Sequence, residues 1–173
     1  MPELKPILQK AQAKQTHELC ELVNLAYRGD LGWTKEGHLI AGQRTTPEEV
    51  KHYLSNPNTH LFIVVNNDKI IASICIEAKK ECAYFGFFAV HPSLQGSGLG
   101  KAVLALAETF ATQTLKSKKL AMVVISQRKE LISFYERRGY LKTKSIEAYP
   151  THLNTGKPLL SGLTITRLEK NTL

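Results

Sequence analysis

The chain has 173 residues, 43% hydrophobic and 22% charged, the balance of one globular domain over 1–173 that buries about 70% of its unfolded surface. No run approaches the roughly 18 apolar residues of a membrane span. The net charge of +8 is scattered, densest at Lys116, Lys118 and Lys119, without a helix-turn-helix, zinc-finger or RNP-like pattern, so it points to an anionic small ligand and not to nucleic acid.

In chain order, Met1-Pro2-Glu3-Leu4-Lys5 lacks an apolar secretory core, and the reading is a cytoplasmic protein. Cys20, Cys75 and Cys82 lack C-x-x-C spacing; they read as core thiols, with no metal site. Pro6 to Ala11 forms a plausible first strand. Leu19, Leu22, Val23 and Ala26 mark an amphipathic helix from about Thr16 to Tyr27. A glycine-punctuated loop, Arg28 to Gly37, carries the single tryptophan, Trp33. Thr46-Pro47-Glu48-Glu49 announces a second helix, with threonine as cap and Glu49 closing a capping box; Asn56-Pro57-Asn58 ends it.

Three strands follow as an antiparallel meander: His60–Val65, Ile70–Ala78 and Cys82–Val90. A helix from about Ala102 to Ala111 and a buried-looking strand, Leu120–Ile125, come next. The helix must supply the crossover, so the strands on either side of it are parallel neighbours. Glu130 to Arg138 is a helix capped by Gly139 in a left-handed conformation. Tyr140–Ala148 is a strand, Tyr149 to Pro158 a long loop, and Leu159–Leu168 the last strand.

The densest signal lies between the third meander strand and its helix: Val90-His91-Pro92-Ser93-Leu94-Gln95-Gly96-Ser97-Gly98-Leu99-Gly100-Lys101. A strand feeding a glycine loop that opens a helix exposes main-chain N–H groups and the positive end of a helix dipole, a site for phosphate. The spacing fits neither G-x-G-x-x-G, since Gly100 falls one position early, nor a Walker loop, which finds Gln95 and Ala102 where glycine and a hydroxyl belong. It fits Q-x-x-G-x-G at Gln95, Gly98 and Gly100, and so resembles the pyrophosphate motif of the GNAT superfamily of acyl-CoA-dependent N-acetyltransferases. Phe134-Tyr135-Glu136-Arg137-Arg138-Gly139-Tyr140 is similar to a second segment of that superfamily, F-Y-x-x-x-G-[FY], and the element order agrees along the whole chain.

The resemblance implies an α/β (α+β) fold: a mixed, mostly antiparallel seven-stranded sheet flanked by about four helices. It implies acetyl-CoA as cofactor and direct attack by an amine, from a small molecule or a peptide, on the thioester. Main-chain groups of Gln95, Gly96, Ser97, Gly98, Leu99, Gly100 and Lys101 would hold the pyrophosphate. Phe88, Ala89 and Val90 would pair with the pantetheine arm and offer an N–H to the developing oxyanion, worth about 3 kcal/mol. Tyr135 matches the tyrosine that protonates the leaving thiolate. Tyr27, Arg28, Trp33 and Arg44 lie where the superfamily builds its acceptor pocket, and as aromatics and guanidinium groups they suit a carboxylate or a flat group.

The strand Tyr84–Val90 has no carboxylate to act as base; Glu36 and Glu77 are the nearest candidates, and each also reads as a solvated surface charge. Arg128 stands where many members carry asparagine. Arginine there can meet a coenzyme A phosphate or a carboxylate. A catalytically inactive acyl-CoA-binding module is the alternative function. Pairing into a homodimer stays open.

Overall fold

The structure is a computed structural model describing residues 4–151 and 155–172; the reading of residues 1–3 and the middle of the 149–158 loop lie outside them. In chain order the elements are β1 (Gln9–Lys10), α1 (Thr16–Arg28), β2 (Ile40–Ala41), α2 (Pro47–Ser55), β3 (Thr59–Asn66), β4 (Lys69–Ala78), β5 (Ala83–Val90) and α3 (Leu99–Gln113). Then come β6 (Lys119–Ile125), α4 (Lys129–Glu136), β7 (Leu141–Ala148), β8 (Lys157–Pro158) and β9 (Thr164–Asn171).

Seven strands form one sheet in the order β1-β3-β4-β5-β6-β9-β7, with β5 and β6 its parallel pair and the rest antiparallel. Asn67 and Asp68 both adopt left-handed conformations (φ 49° and 59°), the two-residue turn whose twist matches the β3–β4 hairpin it closes. Apolar stripes of the helices cover both faces. Leu19, Leu22 and Val23 of α1 with Val50 of α2 pack on Ile63, Cys75 and Phe87. Val103, Leu104 and Ala107 of α3 with Ile132 of α4 pack on Ile74, Ile76 and Phe85. Each fully buried aliphatic side chain contributes about 1.5–3 kcal/mol.

Four expectations change. The first strand shrinks to Gln9–Lys10, paired with Phe62 and Ile63 at the sheet edge. The last strand starts at Thr164 and not Leu159, because Gly162 turns the chain (φ 78°) and Lys157–Pro158 pairs instead with Ile40–Ala41 in a separate ribbon. The α2 cap is half a capping box: Thr46 Oγ1 accepts the Glu49 amide at 3.2 Å, but the Glu49 carboxylate accepts from Thr45 Oγ1 at 2.8 Å and faces Arg44. The strand 83–90 is not regular. Phe87 takes φ 47°, and Phe87 and Phe88 together stand opposite Ile74.

That bulge positions the site. It lets Phe87 face α1 and α2 while Phe88 turns toward α4, so one strand lines both sides of the sheet. Ser73 Oγ donates to the Phe87 carbonyl at 2.7 Å and holds the kink. β5 and β6 pair at Ala83–Leu120 and Tyr84–Ala121, then part, leaving the β6-facing edge of β5 open from Phe85 to Val90.

Candidate active site

The opening continues into the glycine loop. His91 caps a 3₁₀ turn over Pro92–Leu94 through its Nδ1, which accepts the Ser93 amide at 3.2 Å. Gly96 and Gly98 follow with φ 81° and 90°, and a Cβ at either would meet nothing within 4 Å. Gly98 is the residue before α3, whose first bond runs from the Ala102 amide to the Gly98 carbonyl at 3.1 Å. The amides of Gly100 and Lys101 therefore lie in the unpaired first turn. The Gln95 side chain ties this loop to the segment after α1. Its Oε1 accepts the Trp33 amide at 2.8 Å, while its Nε2 donates to Thr34 Oγ1 at 2.7 Å and to the Val90 carbonyl at 3.1 Å.

Gln95, Gly96, Gly98 and Gly100 line a cavity of about 420 Å³ with Phe88, Phe134, Lys101, Arg137 and Arg138. Arg138 lies over the Phe134 ring, 3.7 Å from its centroid. A second cavity, of about 350 Å³, adjoins it at the parted strands and is walled by Tyr53, Tyr84, Phe87 and Tyr149. Its charges are largely paired. Arg28 Nε meets Glu36 at 3.1 Å, both side chains 6% exposed, and the same guanidinium donates to the carbonyls of Gly42 and Thr155. Arg44 sits 3.6 Å from Glu49 and over the rings of Tyr27 and Phe87. Glu77 is half-buried, lines the floor opposite Tyr84, and has no partner among the described residues.

Tyr27, Phe88, Arg128, Leu131 and Tyr135 line both cavities and so form their junction. Tyr135 is 6% exposed and packs among Phe88, Phe134 and Tyr140; its hydroxyl bonds no described residue. Burial pushes its phenol well above the ordinary value, and Tyr27 is raised by the same cause.

Of the residues expected to hold cofactor, Phe88, Val90, Gln95, Gly96, Gly98, Gly100 and Lys101 converge on the 420 Å³ cavity. Ala89, Ser97 and Leu99 do not line it. Ala89 is buried toward α1, Leu99 joins the core under α3, and Ser97 Oγ donates to the Leu94 carbonyl at 2.5 Å. Tyr27, Arg28, Glu36, Arg44 and Glu77 share the second cavity. Trp33, expected beside the acceptor, lies with the glycine loop, its ring 5.7 Å from Phe134. Glu36 is no solvated charge but a buried partner of Arg28. Sequence reasoning assigned no role to Arg137 and Arg138, although two adjacent cations two and three residues after Tyr135 were a signal. Nor did it include Tyr53, Tyr84 and Tyr149, which reach the second cavity from α2, β5 and the loop after β7 and carry no local motif.

Residues 17–140 match the family model described as "Acetyltransferase (GNAT) family". A comparison with curated proteins gives no match. Among solved structures, the fold is similar to an N-acetyltransferase from Staphylococcus aureus Mu50 (TM-score 0.74, 12% identity, covering 97% of this chain and 98% of that one). It is also similar to ribosomal-protein-S18-alanine N-acetyltransferase from Escherichia coli (0.70, 16%, 96% and 93%) and to a spermidine N-acetyltransferase mutant from Vibrio cholerae (0.69, 14%, 95% and 94%). With its two sequence motifs folded onto one opening in the sheet, and the family model spanning well over half of its length, the chain belongs to the GNAT family of acetyltransferases.

Proposed function

We propose that the protein moves an acetyl group from acetyl-CoA to an amine held in the same complex. The observation that carries this reading is the meeting of two cavities, one glycine-cradled and cationic, the other aromatic, with Tyr135 lining both. The 420 Å³ cavity suits coenzyme A. Space stands open where Gly96 and Gly98 lack a Cβ, and Lys101, Arg137 and Arg138 supply counter-charge for phosphates. The open edge of β5 offers main-chain groups to an amide-bearing arm.

When bound, acetyl-CoA supplies a thioester whose C–S bond breaks as the N–C bond to the amine forms. Tyr135 holds the proton that the sulfur needs: burial keeps its phenol in the neutral O–H form, a hydrogen-bond donor to the sulfur as negative charge builds there. Glu36 is committed to Arg28, which leaves Glu77 as the carboxylate able to collect the amine proton. Tyr84, opposite Glu77, is four residues from Phe88, about 13 Å along the strand, so that proton travels through water. Two structural neighbours are named for spermidine and for an alanine of a ribosomal protein, both amines, which supports an amine acceptor here.

The test is thiol release from acetyl-CoA against amino acids, polyamines, aminoglycosides and peptide N-termini, with coenzyme A binding followed separately. Release that depends on an amine and on Tyr135 is expected. Tight cofactor binding without release from any amine would leave the inactive binding module.

A further inference from the structure

We infer that the acceptor carries a carboxylate next to its amine, as a free α-amino acid does, and that Arg128 is the group that binds it. This deepens the acetyl-transfer reading above and rests on it. Arg128 is 3% exposed, and a buried guanidinium is unfavourable unless its donors are met. Its donors are poorly met here. Nη2 donates to the Trp33 carbonyl at 3.3 Å. Nε lies 3.5 Å from Glu130, whose side chain is 58% exposed, yet makes no hydrogen bond; Nη1 bonds no described residue.

The other two guanidinium groups of the acceptor cavity are occupied, Arg28 by Glu36 and two carbonyls, Arg44 by Glu49 and two aromatic rings. Arg128, whose ion pair is to the largely exposed Glu130 alone, is therefore the least committed of the three. Its position decides what that charge is for. It lines both cavities with Tyr27, Phe88 and Tyr135, at the point where the amine must reach the thioester. An anion held there belongs to the same small part of the acceptor as the reacting nitrogen, because both sit where the cavities join. Phosphate has its own cradle at Gly96–Lys101, with Arg137 and Arg138 beside it. A planar fork of N–H donors suits a carboxylate, which accepts two parallel bonds from it. A polyamine or a peptide N-terminus presents no carboxylate at that distance.

The experiment compares kcat/KM for amino acids with that for the corresponding amino-acid amides, each with acetyl-CoA, in the wild type, Arg128→Gln and Arg128→Lys. The wild type is expected to prefer the acid at least tenfold. In Arg128→Gln that ratio falls toward one, with the acceptor KM rising more than the acetyl-CoA KM, and Arg128→Lys restores part of it. Product inhibition of the wild type gives a measurement independent of variant folding: the N-acetyl amino acid should inhibit at least tenfold better than its amide. Amides used as well as acids, or N-acetyl amides inhibiting as well as acids, overturn the inference and leave acetyl transfer standing. Cofactor binding with no release from any amine, acid or amide, overturns both.

Discussion

Gly100→Ala separates the fold from the coenzyme A binding proposed for its glycine loop. A Cβ on Gly100 would stand 3.5 Å from Val90 Cγ2 and 3.6 Å from Phe88 Cζ, ordinary contact distances, and the position has no left-handed strain. Alanine also favours a helix over glycine by up to about 1 kcal/mol, so the free protein should be unchanged or slightly more stable. The added methyl, however, projects into the cavity wall shared with Phe88, where the cofactor arm must run. A tenfold weaker grip is the minimum expected, about 1.4 kcal/mol. In ligand-linked stability the difference is easily read: coenzyme A at 100 times the wild-type Kd raises wild-type stability by about 2.7 kcal/mol, and the variant by only about 1.4 kcal/mol. Urea unfolding with and without coenzyme A measures both numbers. The reasoning fails if Gly100→Ala gains the full wild-type increment, or if the free variant loses more than about 1 kcal/mol.

Other perturbations report on other parts. Tyr135→Phe should lower kcat by about 10²-fold or more while coenzyme A still stabilises the protein. Because burial raises the Tyr135 phenol, the neutral donor persists on the alkaline side, and the wild-type kcat profile should show no fall from it up to pH 10. Glu36→Gln strands Arg28 in a pocket where both side chains are 6% exposed; a loss of about 3–5 kcal/mol, seen as a lower midpoint in thermal unfolding, is expected. Glu169 is held below its ordinary 4.5 chiefly by the hydrogen bond from Arg167, with Lys119 adding to it. Its folded pKa is depressed, so its contribution is present above pH 4.5 and lost as pH falls through the lowered value. Glu169→Gln should narrow the stability difference between pH 6 and pH 3 by less than about 1 kcal/mol.

Local chemistry made much of this legible in the sequence. The Gln95–Lys101 spacing, the Thr46 cap and the Gly139 helix end are short-range statements, and each stands where its residues put it: Gly139 has φ 94° and the Tyr140 amide returns to the Tyr135 carbonyl at 3.2 Å. What was hidden depends on partners far along the chain. Leu159–Leu163 carries strand-like residues, yet Ile40–Ala41 captures the preceding Lys157–Pro158 and Gly162 turns the rest. The Phe87 kink leaves no trace in an apolar run, because phenylalanine gives no sign of a left-handed conformation that Ser73, from the neighbouring strand, helps to fix. Glu36 looked like surface charge because its counter-ion, Arg28, sits on α1 at a separation that no local pattern links to it.

Gln95 joins two segments with a single side-chain amide: three hydrogen bonds, to Trp33, Thr34 and Val90. A change of sequence in 31–36 therefore tugs on the loop proposed to hold the cofactor. Selection for a new substrate has to proceed through variants that keep this latch intact, or accept weaker cofactor capture on the way.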